Sequence, residues 1–377
     1  MLHRVLQAFL LVLLPSSLAA GTNGDLFAQG VLWRLQLEIP AQEMKSLRSN
    51  PREYVKATLR EGTNVVRDIG IRLKGASSFQ PVDQKPAFTL NCDKFVFGQR
   101  FHGLSKFYLN NSLEDPTYVN EKLGSELFSA MGVPAPRVSH ALVELNGKRL
   151  GLYVLKEGFA AEFLERHFGQ TEGNLYEPVP NVAPDVTDPM ELNSGDESLD
   201  TAGPMRLAKA ASEPDLAKRW TALRNVLDMD RFVAFMAMEV LSGHRDGYCL
   251  GRNNYRLYHD PAARRFVFMP DGMDQLFGRA DFPVRPNMAG VVAKAVLETP
   301  EGTQAYTQSL EMAMAKCFKG DAMTNRVRSW VAAIAPQLPR AEAKTLQTES
   351  ADLCERIRQR VAFVERQLAE AESKGTR

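Results

Sequence analysis

The fold is decided by residues 244–254, which read His244-Arg245-Asp246-Gly247-Tyr248-Cys249-Leu250-Gly251-Arg252-Asn253-Asn254. They follow an apolar segment with helical spacing and precede a predicted β-hairpin. Residues 255–258 and 265–269 are its two strands, and residues 259–263 form the turn between them. If these strands pair, Asn253 and Asn254 lie beside Asp271, and Asp274 follows shortly after. One hairpin then gathers Asp246, two amide side chains and two carboxylates at its open end.

Shorter patterns around this stretch indicate strands first and helices later. Alternating apolar and polar residues predict strands at 32–39, 55–59, 65–73, 87–90 and 106–109. Asp115-Pro116 predicts the start of a helix that ends at Gly132. Asn146-Gly147 predicts a tight turn between strands 138–145 and 150–155. Further helices are predicted over 220–241 and after 285, and residues 181–214 are interpreted as a loop insertion.

This order of elements predicts an α+β fold with two lobes. The strand-rich N-terminal lobe covers residues 30–160 and the mainly helical C-terminal lobe residues 161–377, within one domain from 21 to 377. Residues 1–20 have a basic start, an apolar run and a small-residue end, which predicts a signal peptide. We therefore expect a secreted, periplasmic or cell-surface protein.

Composition excludes two classes of protein. The 377 residues are 44% hydrophobic and 24% charged, which excludes a disordered chain. A net charge of +1 excludes the basic surface of a dedicated nucleic-acid binder. After residue 20 no apolar segment reaches membrane-spanning length, so no transmembrane segment is expected in the mature chain.

The cysteines at 92, 249, 317 and 354 form no C-x-x-C motif, so a structural zinc site is not expected. Export to an oxidising compartment permits disulfides. Cys317 and Cys354 both lie in helix-like sequence and are the favoured pair.

The polar groups near the hairpin suit metal-assisted phosphoryl transfer. One carboxylate accepts the proton of the attacking hydroxyl, while an amide and a second carboxylate hold Mg²⁺ or Mn²⁺. The order resembles the kinase series H-R-D, Asn, D-F-G, although Asn253 comes seven residues after Asp246 where the kinase pattern has five. The alternative is a polar turn that only caps a hairpin.

Basic residues of the strand-rich half are candidates to neutralise nucleotide phosphates: Arg72, Lys74 and Lys85. Glu157 follows the strand at 150–155 and is a candidate to orient a lysine. Taken singly, each of these residues is also compatible with an ordinary solvated surface charge.

Several segments, in the same order along the chain, resemble the CotH kinases, a family named for a bacterial spore-coat protein. The matching segments are Ile71-Arg72-Leu73-Lys74-Gly75-Ala76-Ser77-Ser78, Lys85-Pro86-Ala87-Phe88-Thr89-Leu90, Leu109-Asn110-Asn111, Gly132-Val133-Pro134-Ala135-Pro136, the stretch from Asn146-Gly147 to Glu157, Gly173-Asn174-Leu175-Tyr176, Asp246-Gly247-Tyr248, Asn253-Asn254-Tyr255 and Gly272-Met273-Asp274. The resemblance covers nearly the whole predicted mature chain.

This resemblance implies an atypical protein-kinase-like fold and phosphorylation of Ser or Thr in protein substrates, with ATP and Mg²⁺ or Mn²⁺ as cofactors. By the resemblance Asp246 is the catalytic aspartate and Asp274 the metal-binding aspartate, with Asn253 as a second metal ligand. Asn254 and Asp271 are further candidates for the metal.

The resemblance also assigns the phosphate-binding residues. Lys85 paired with Glu157 is the chosen phosphate-binding lysine, with Arg72 and Lys74 nearby, and Lys74 or Lys156 as alternatives. The expected partner is a protein substrate, with no nucleic acid, and the chain is expected to be a monomer.

Two positions depart from the family pattern. Ala76 stands where the family has asparagine, and Asn120 stands where arginine is expected before Glu121-Lys122. They support a second interpretation, a non-catalytic surface or adhesion module that keeps the fold. A third is a metal-dependent phosphohydrolase built on the same carboxylates.

Overall fold

The computed structural model describes residues 25–28, 30–179, 185–196, 198 and 202–375. The predicted signal peptide at 1–20 lies outside the described residues. The fold is mixed α+β, with a closed barrel of seven strands, a separate four-stranded sheet and a helical region.

The barrel is formed by the predicted early strands, whose existence is confirmed. They are β1 (Leu32–Glu38), β2 (Val55–Glu61), β3 (Asn64–Lys74), β4 (Ala87–Asn91), β5 (Lys106–Asn110), β6 (Val138–Leu145) and β7 (Lys148–Glu157). They run in the order β1-β2-β3-β4-β5-β7-β6, and a parallel pairing of β1 with β6 closes the ring. A short helix, α1 (Ala41–Ser49), joins β1 to β2. Leu37, Ile71, Phe88 and Tyr153 are among the side chains buried in the barrel core.

The tight turn of the β6–β7 hairpin follows its predicted chemistry. Asn146 and Gly147 both adopt positive φ, 48° and 81°, as a two-residue hairpin turn requires. The Asn146 side chain also accepts a hydrogen bond from the Ile39 amide at 2.7 Å and donates to its carbonyl at 2.9 Å. The turn is therefore tied to the end of β1.

The helix predicted to start at Asp115-Pro116 begins later, as α2 (Asn120–Ala130). Asp115 is buried in the preceding turn, where its carboxylate accepts hydrogen bonds from the amides of Thr117 and Asn120, each at 3.0 Å. The acid therefore organises the turn before the helix rather than the first helical turn.

The second sheet contains β8 (Asn174–Pro178), β9 (Met190–Ser194), β10 (Tyr255–Asp260) and β11 (Arg265–Pro270), in the order β11-β10-β8-β9. The hairpin predicted from residues 255–269 is confirmed, and Tyr255 pairs with Pro270. The loop predicted for 181–214 is wrong over part of its length. This segment contains β9, which pairs with β8, and a helix, α4 (Met205–Ala211), whose apolar side packs against the helical core.

The remaining helices are α3 (Ala161–Phe168), α5 (Leu216–Val226), α6 (Met229–Ser242), α7 (Tyr248–Gly251), α8 (Val291–Leu297), α9 (Pro300–Lys316), α10 (Gly320–Ile334) and α11 (Arg340–Gly375), with a 3₁₀ turn at 335–337. The predicted restart within 220–241 is confirmed, because Asp228 caps α6 by accepting from the Arg231 amide at 3.2 Å. Gly243 ends α6 with a φ of 67°.

Helix α6 forms the centre of the helical region, with nearly every side chain buried. The long C-terminal helix α11 contacts the C-terminal end of α6 through Arg360, which is almost fully buried. The Arg360 guanidinium donates to the carbonyls of Leu241 at 3.0 Å and Val240 at 2.9 Å. The bond to Leu241 satisfies a carbonyl that the end of a helix leaves unpaired, whereas the Val240 carbonyl also accepts from the Gly243 amide at 3.2 Å.

The predicted Cys317–Cys354 disulfide is wrong, since both cysteines are free. Cys317 ends α9, whereas the Cys354 thiol lies in the interior against the Thr324 carbonyl, 3.8 Å away. Across the described residues, no helix combines the length and the apolar character needed to span a bilayer.

Candidate active site

A cavity of about 870 Å³ is lined by several charged side chains. Segments distant in sequence line it: the loop after β3, the turn before α2, the loop after α6, the loop after β11 and helix α11. Among the lining residues are Glu114, Asp115, Arg245, Asp246, Asp274 and Arg356. Two residues that the sequence singled out, Asp246 and Asp274, therefore share one cavity.

The loop that carries Asp246 is anchored to α6 by a buried carboxylate. Glu239 has no exposed surface and accepts hydrogen bonds from the amides of Tyr248 at 2.8 Å and Cys249 at 2.7 Å. Gly247 is required here, because a Cβ at this position would lie 2.2 Å from the Glu239 carboxylate. The apolar helix α6 thus fixes the position of the loop.

His244 connects this loop to the one after β11. Its Nδ1 lies 3.6 Å from the Glu239 carboxylate, and its Nε2 lies 3.2 Å from the Gly272 carbonyl. Burial lowers the pKa of His244, but the nearby carboxylate of Glu239 outweighs that effect, so the pKa is raised. The histidine therefore ties together the segments that carry Asp246 and Asp274.

Asp246, Asn253 and Asn254 meet at the open end of the β10–β11 hairpin, as the strand pairing predicted. Both amide groups donate to Oδ2 of Asp246, from Asn253 at 3.1 Å and from Asn254 at 2.8 Å. Asn254 also donates to the Gly272 carbonyl at 3.3 Å. The two amides hold one carboxylate oxygen of Asp246 in place.

A buried ion network lies behind the cavity. Lys156 of β7 is 1% exposed, and its ammonium donates to Glu121 of α2 at 2.5 Å and to Asp271. The other oxygen of Asp271 pairs with Arg256 of β10 at 2.9 Å. The network links the barrel, α2 and the second sheet.

Each group in this network stabilises the charged form of its partners. Burial lowers the pKa of Lys156, but Asp271 and Glu121 outweigh that effect and raise it. Burial raises the pKa of Asp271, but Lys156 and Arg256 outweigh that effect and lower it. The ammonium and the carboxylate are therefore both charged at neutral pH.

The predicted pairing of Lys85 with Glu157 is wrong. Glu157 is buried and pairs with Arg137 at 2.9 Å and with Arg166. Successive residues of a strand face opposite sides, so Lys156 faces the ion network and Glu157 faces away from it. The sequence-based interpretation placed the carboxylate of this strand in the site, whereas the structure places the lysine there.

Lys85 occupies an aromatic environment instead. Its ammonium donates to the Tyr118 hydroxyl at 2.6 Å and lies 5.3 Å from the centre of the Tyr153 ring. Burial lowers the pKa of Lys85 to about 8.

The other two basic candidates differ in position. Lys74 donates to Asn110 at 2.8 Å, and the charge of Asp271 acts on it, although burial lowers its pKa. Arg72 stacks on the Tyr54 ring at 4.8 Å and donates to the Arg52 carbonyl at 3.4 Å. The structure therefore places Lys74 beside the ion network and Arg72 elsewhere.

The carboxyl group of Asp274 is buried near other acidic side chains, which disfavours its charged form. Burial, followed by the nearby charges of Glu121 and Glu114, raises its pKa to about 7. Asn120 donates to the Asp274 carbonyl at 2.9 Å, and its own side-chain oxygen is buried with no hydrogen-bond partner among the described residues. An unpaired oxygen beside a crowded carboxylate fits a site for a cation.

Within the described ranges, no three His, Cys, Asp or Glu side chains form a ready metal cage. Mg²⁺ is usually bound through one or two carboxylates together with substrate phosphates and water. The oxygen donors around this cavity fit that kind of site, and they do not fit zinc.

Sequence reasoning missed Glu121 and Arg256. Glu121 lies on a helix with a clear apolar face, where a buried glutamate leaves no signal in the periodicity. Arg256 lies in a strand in which four successive residues are buried. Alternation of polar and apolar residues therefore could not show which side of the sheet Arg256 faces.

A family model described as CotH kinase protein matches residues 71–369. Invasin CotH2 of Rhizopus delemar is 27% identical over 267 residues, which are 62% of this chain and 44% of that protein. Inner spore coat protein H of Bacillus subtilis is 22% identical over 300 residues, 73% of this chain and 82% of that protein. The chain thus spans less than half the length of the invasin.

Among solved structures, the Helicobacter pylori proinflammatory kinase CtkA aligns with a TM-score of 0.36 at 10% identity. The alignment covers 76% of this chain and 95% of that one.

Proposed function

Because the chain belongs to the CotH kinase protein family, we propose that it is an ATP-dependent protein kinase with an atypical, two-lobed kinase-like fold. One observation carries the proposal. The buried Lys156–Glu121–Asp271 network adjoins a cavity lined by Asp246 and Asp274. Protein kinases use such a Lys–Glu pair, a metal-binding aspartate and a catalytic aspartate.

In this proposal Lys156 is the phosphate-binding lysine, in place of Lys85. Glu121 and Asp271 hold its ammonium in a fixed position, which costs the side chain its rotamer freedom before substrate arrives. Lys74, close behind, adds positive charge. Glu157 and Arg72 have no part in nucleotide binding.

Asp246 is the proposed base. Asn253 and Asn254 hold its Oδ2, and its Oδ1 is left to accept the proton of a Ser or Thr hydroxyl. Asp274 and Asn253 are the proposed metal ligands, with Asn254 and Asp271 as further ones. A bound Mg²⁺ or Mn²⁺ would neutralise charge on the phosphates.

The relatives support a surface location. One is named an invasin and another an inner spore coat protein, so we propose that this chain is exported and acts on Ser or Thr of secreted or surface proteins.

A second candidate is a non-catalytic surface module on the same fold. It is favoured by Asp271, since both of its oxygens are already paired with Lys156 and Arg256. A carboxylate in that state is a poor ligand for a cation. The invasin name of a relative agrees with an adhesive role.

Labelled ATP separates these functions. Purified chain is incubated with ATP, Mn²⁺ and a serine-rich protein, as wild type, Asp246→Asn, Lys156→Met and Lys85→Met. A kinase loses about 10²–10⁴-fold of its labelling rate in Asp246→Asn, as removal of a general base does. Lys156→Met falls comparably, while the matched Lys85→Met retains most activity.

Equal labelling by wild type and Asp246→Asn would overturn the kinase proposal. A wild type that neither labels protein nor gains thermal stability from ATP and Mn²⁺ would support the non-catalytic module. Phosphate released to water without labelled protein would indicate a phosphohydrolase.

A further inference from the structure

The loop between β4 and β5 carries an exposed apolar tip, Phe95-Val96-Phe97, which we call the aromatic tip. Phe97 is 100% exposed, and Phe95 and Val96 are each 41% exposed. Few large apolar side chains of the described residues are as open as Phe97. A phenylalanine in water lacks the stabilisation that burial provides. The stability of the fold therefore does not explain why Phe97 is exposed.

The aromatic tip is held in place by its flanks. The Gln99 side chain donates to the carbonyls of Arg67 and Cys92, each at 2.9 Å. Lys94 packs flat on β3 where Gly70 leaves room, because a Cβ there would lie 2.7 Å from the lysine. Both flanks of the aromatic tip are therefore bound to the barrel.

Three cations lie at or near the base of the aromatic tip. The Lys94 ammonium lies 5.3 Å from the centre of the Tyr54 ring, and Arg72 stacks on the same ring at 4.8 Å. The Lys56 ammonium lies 5.7 Å from the Phe95 ring. Exposed aromatic rings with adjacent cations are typical of segments that sit at the surface of an anionic bilayer.

Neighbouring acids cancel part of this charge, and Arg100 is shared by Asp93 and Glu162. Asp93 pairs with Arg100 at 3.0 Å, and Asp68 pairs with Lys56 at 3.5 Å. Among the residues that the structure describes, Lys94 has no carboxylate partner, nor does Arg72. Lys94 and Arg72 are therefore the cations of this surface that remain available to an anionic partner.

We propose that the aromatic tip inserts into the headgroup region of an anionic lipid bilayer and holds the protein at a membrane surface. Its three side chains expose roughly 300–400 Å², well below the ~800 Å² that each partner buries in a stable protein–protein interface. A small convex apolar tip with flanking cations matches the depth and charge of a bilayer surface better than it matches a protein partner.

The position of the loop keeps the cavity accessible on a membrane. Strands β4 and β5 meet the site at Ala87 and Asn110, where Asn110 binds Lys74. The aromatic tip follows Asn91, at the opposite end of the same strands. A protein bound through the tip therefore leaves the cavity free for a substrate.

Sedimentation with vesicles tests the inference on the whole chain. Vesicles of phosphatidylcholine are compared with vesicles that also contain phosphatidylglycerol, using wild type, Phe97→Ser and Lys94→Gln. The matched control is Met312→Ser, which replaces a 56% exposed apolar residue on α9. All three substitutions lie on the surface, and circular dichroism verifies the fold of each variant.

We expect wild type to bind the anionic vesicles and Phe97→Ser to bind about tenfold or more weakly, because one phenylalanine leaves the apolar boundary. Lys94→Gln weakens binding only to anionic vesicles, by about fivefold, and Met312→Ser binds as wild type. Labelling activity without vesicles stays unchanged in Phe97→Ser, so the inference stands apart from the proposed kinase function.

Wild type that stays in the supernatant with anionic vesicles would overturn the inference. Equal binding by Phe97→Ser and wild type would do the same, as would equal binding of wild type to neutral and anionic vesicles.

Discussion

Replacing Lys156 with methionine should destabilise the protein by about 3–5 kcal/mol, the usual cost of removing one partner from a buried ion pair. The structure shows which partner of Lys156 accounts for this loss of stability. Asp271 retains Arg256, whereas among the described residues Glu121 retains only the Met273 amide at 2.9 Å. Methionine is nearly as long as lysine, so the loss of packing is small. The uncompensated charge of buried Glu121 therefore accounts for most of the cost.

Urea unfolding of Lys156→Met, Glu121→Gln and the double variant measures this effect. Glu121→Gln removes the charge that Lys156→Met strands, so the double variant should be more stable than the sum of the single effects by about 1–3 kcal/mol. Lys148→Met is the matched control on the same strand, at an exposed position, and should change stability by no more than about 0.5 kcal/mol. Additive effects of the two network substitutions would refute the reasoning.

The same network fixes a pH window. The raised pKa of Lys156 means that its contribution is present below the ordinary lysine value of about 10.4 and is lost as pH rises through the folded value. The lowered pKa of Asp271 means that its contribution is present above about 3.9 and is lost as pH falls. The contribution of this pair to the stability of the wild type should thus be fully present from about pH 5 to 9, and a loss of the stability advantage of wild type over Lys156→Met within this window would contradict the assignment of charges.

Asp274 should make the wild type less stable as pH rises from about 4 to 7, because its raised pKa of about 7 keeps a proton that the unfolded chain has already lost. Asp274→Asn should be the more stable of the two at pH 8 yet lose nucleotide binding with Mn²⁺, and parallel pH profiles of unfolding would count against this. Gly247→Ala should cost about 1–3 kcal/mol, because its Cβ would collide with Glu239. Gly278→Ala, which has open space around it, is the control, and equal unfolding midpoints for the two alanine variants would contradict the packing argument.

Local patterns predicted the elements that local chemistry determines. The Asn146-Gly147 turn and the hairpin of β10 and β11 depend on residues adjacent in sequence, and both are confirmed. The hairpin also places Asn253 and Asn254, which directly precede β10, at its open end, where they meet Asp246. The helix predicted to start at Asp115 exists as α2, but its predicted start is wrong, because an aspartate can cap a turn as readily as a helix.

Contacts between segments that are distant in sequence could not be predicted from the sequence patterns. Residues 150–157 of β7 are buried on both faces, between the barrel core and the covering helices, so alternation of apolar and polar residues cannot show which side chain faces the site. Lys156 and Glu157 are both buried and both charged, and each finds partners of opposite sign on its own side of the strand. A shift of one residue exchanges the two faces, so only the register of β7 against β5 and β6 decides that the lysine, and not the glutamate, enters the candidate site.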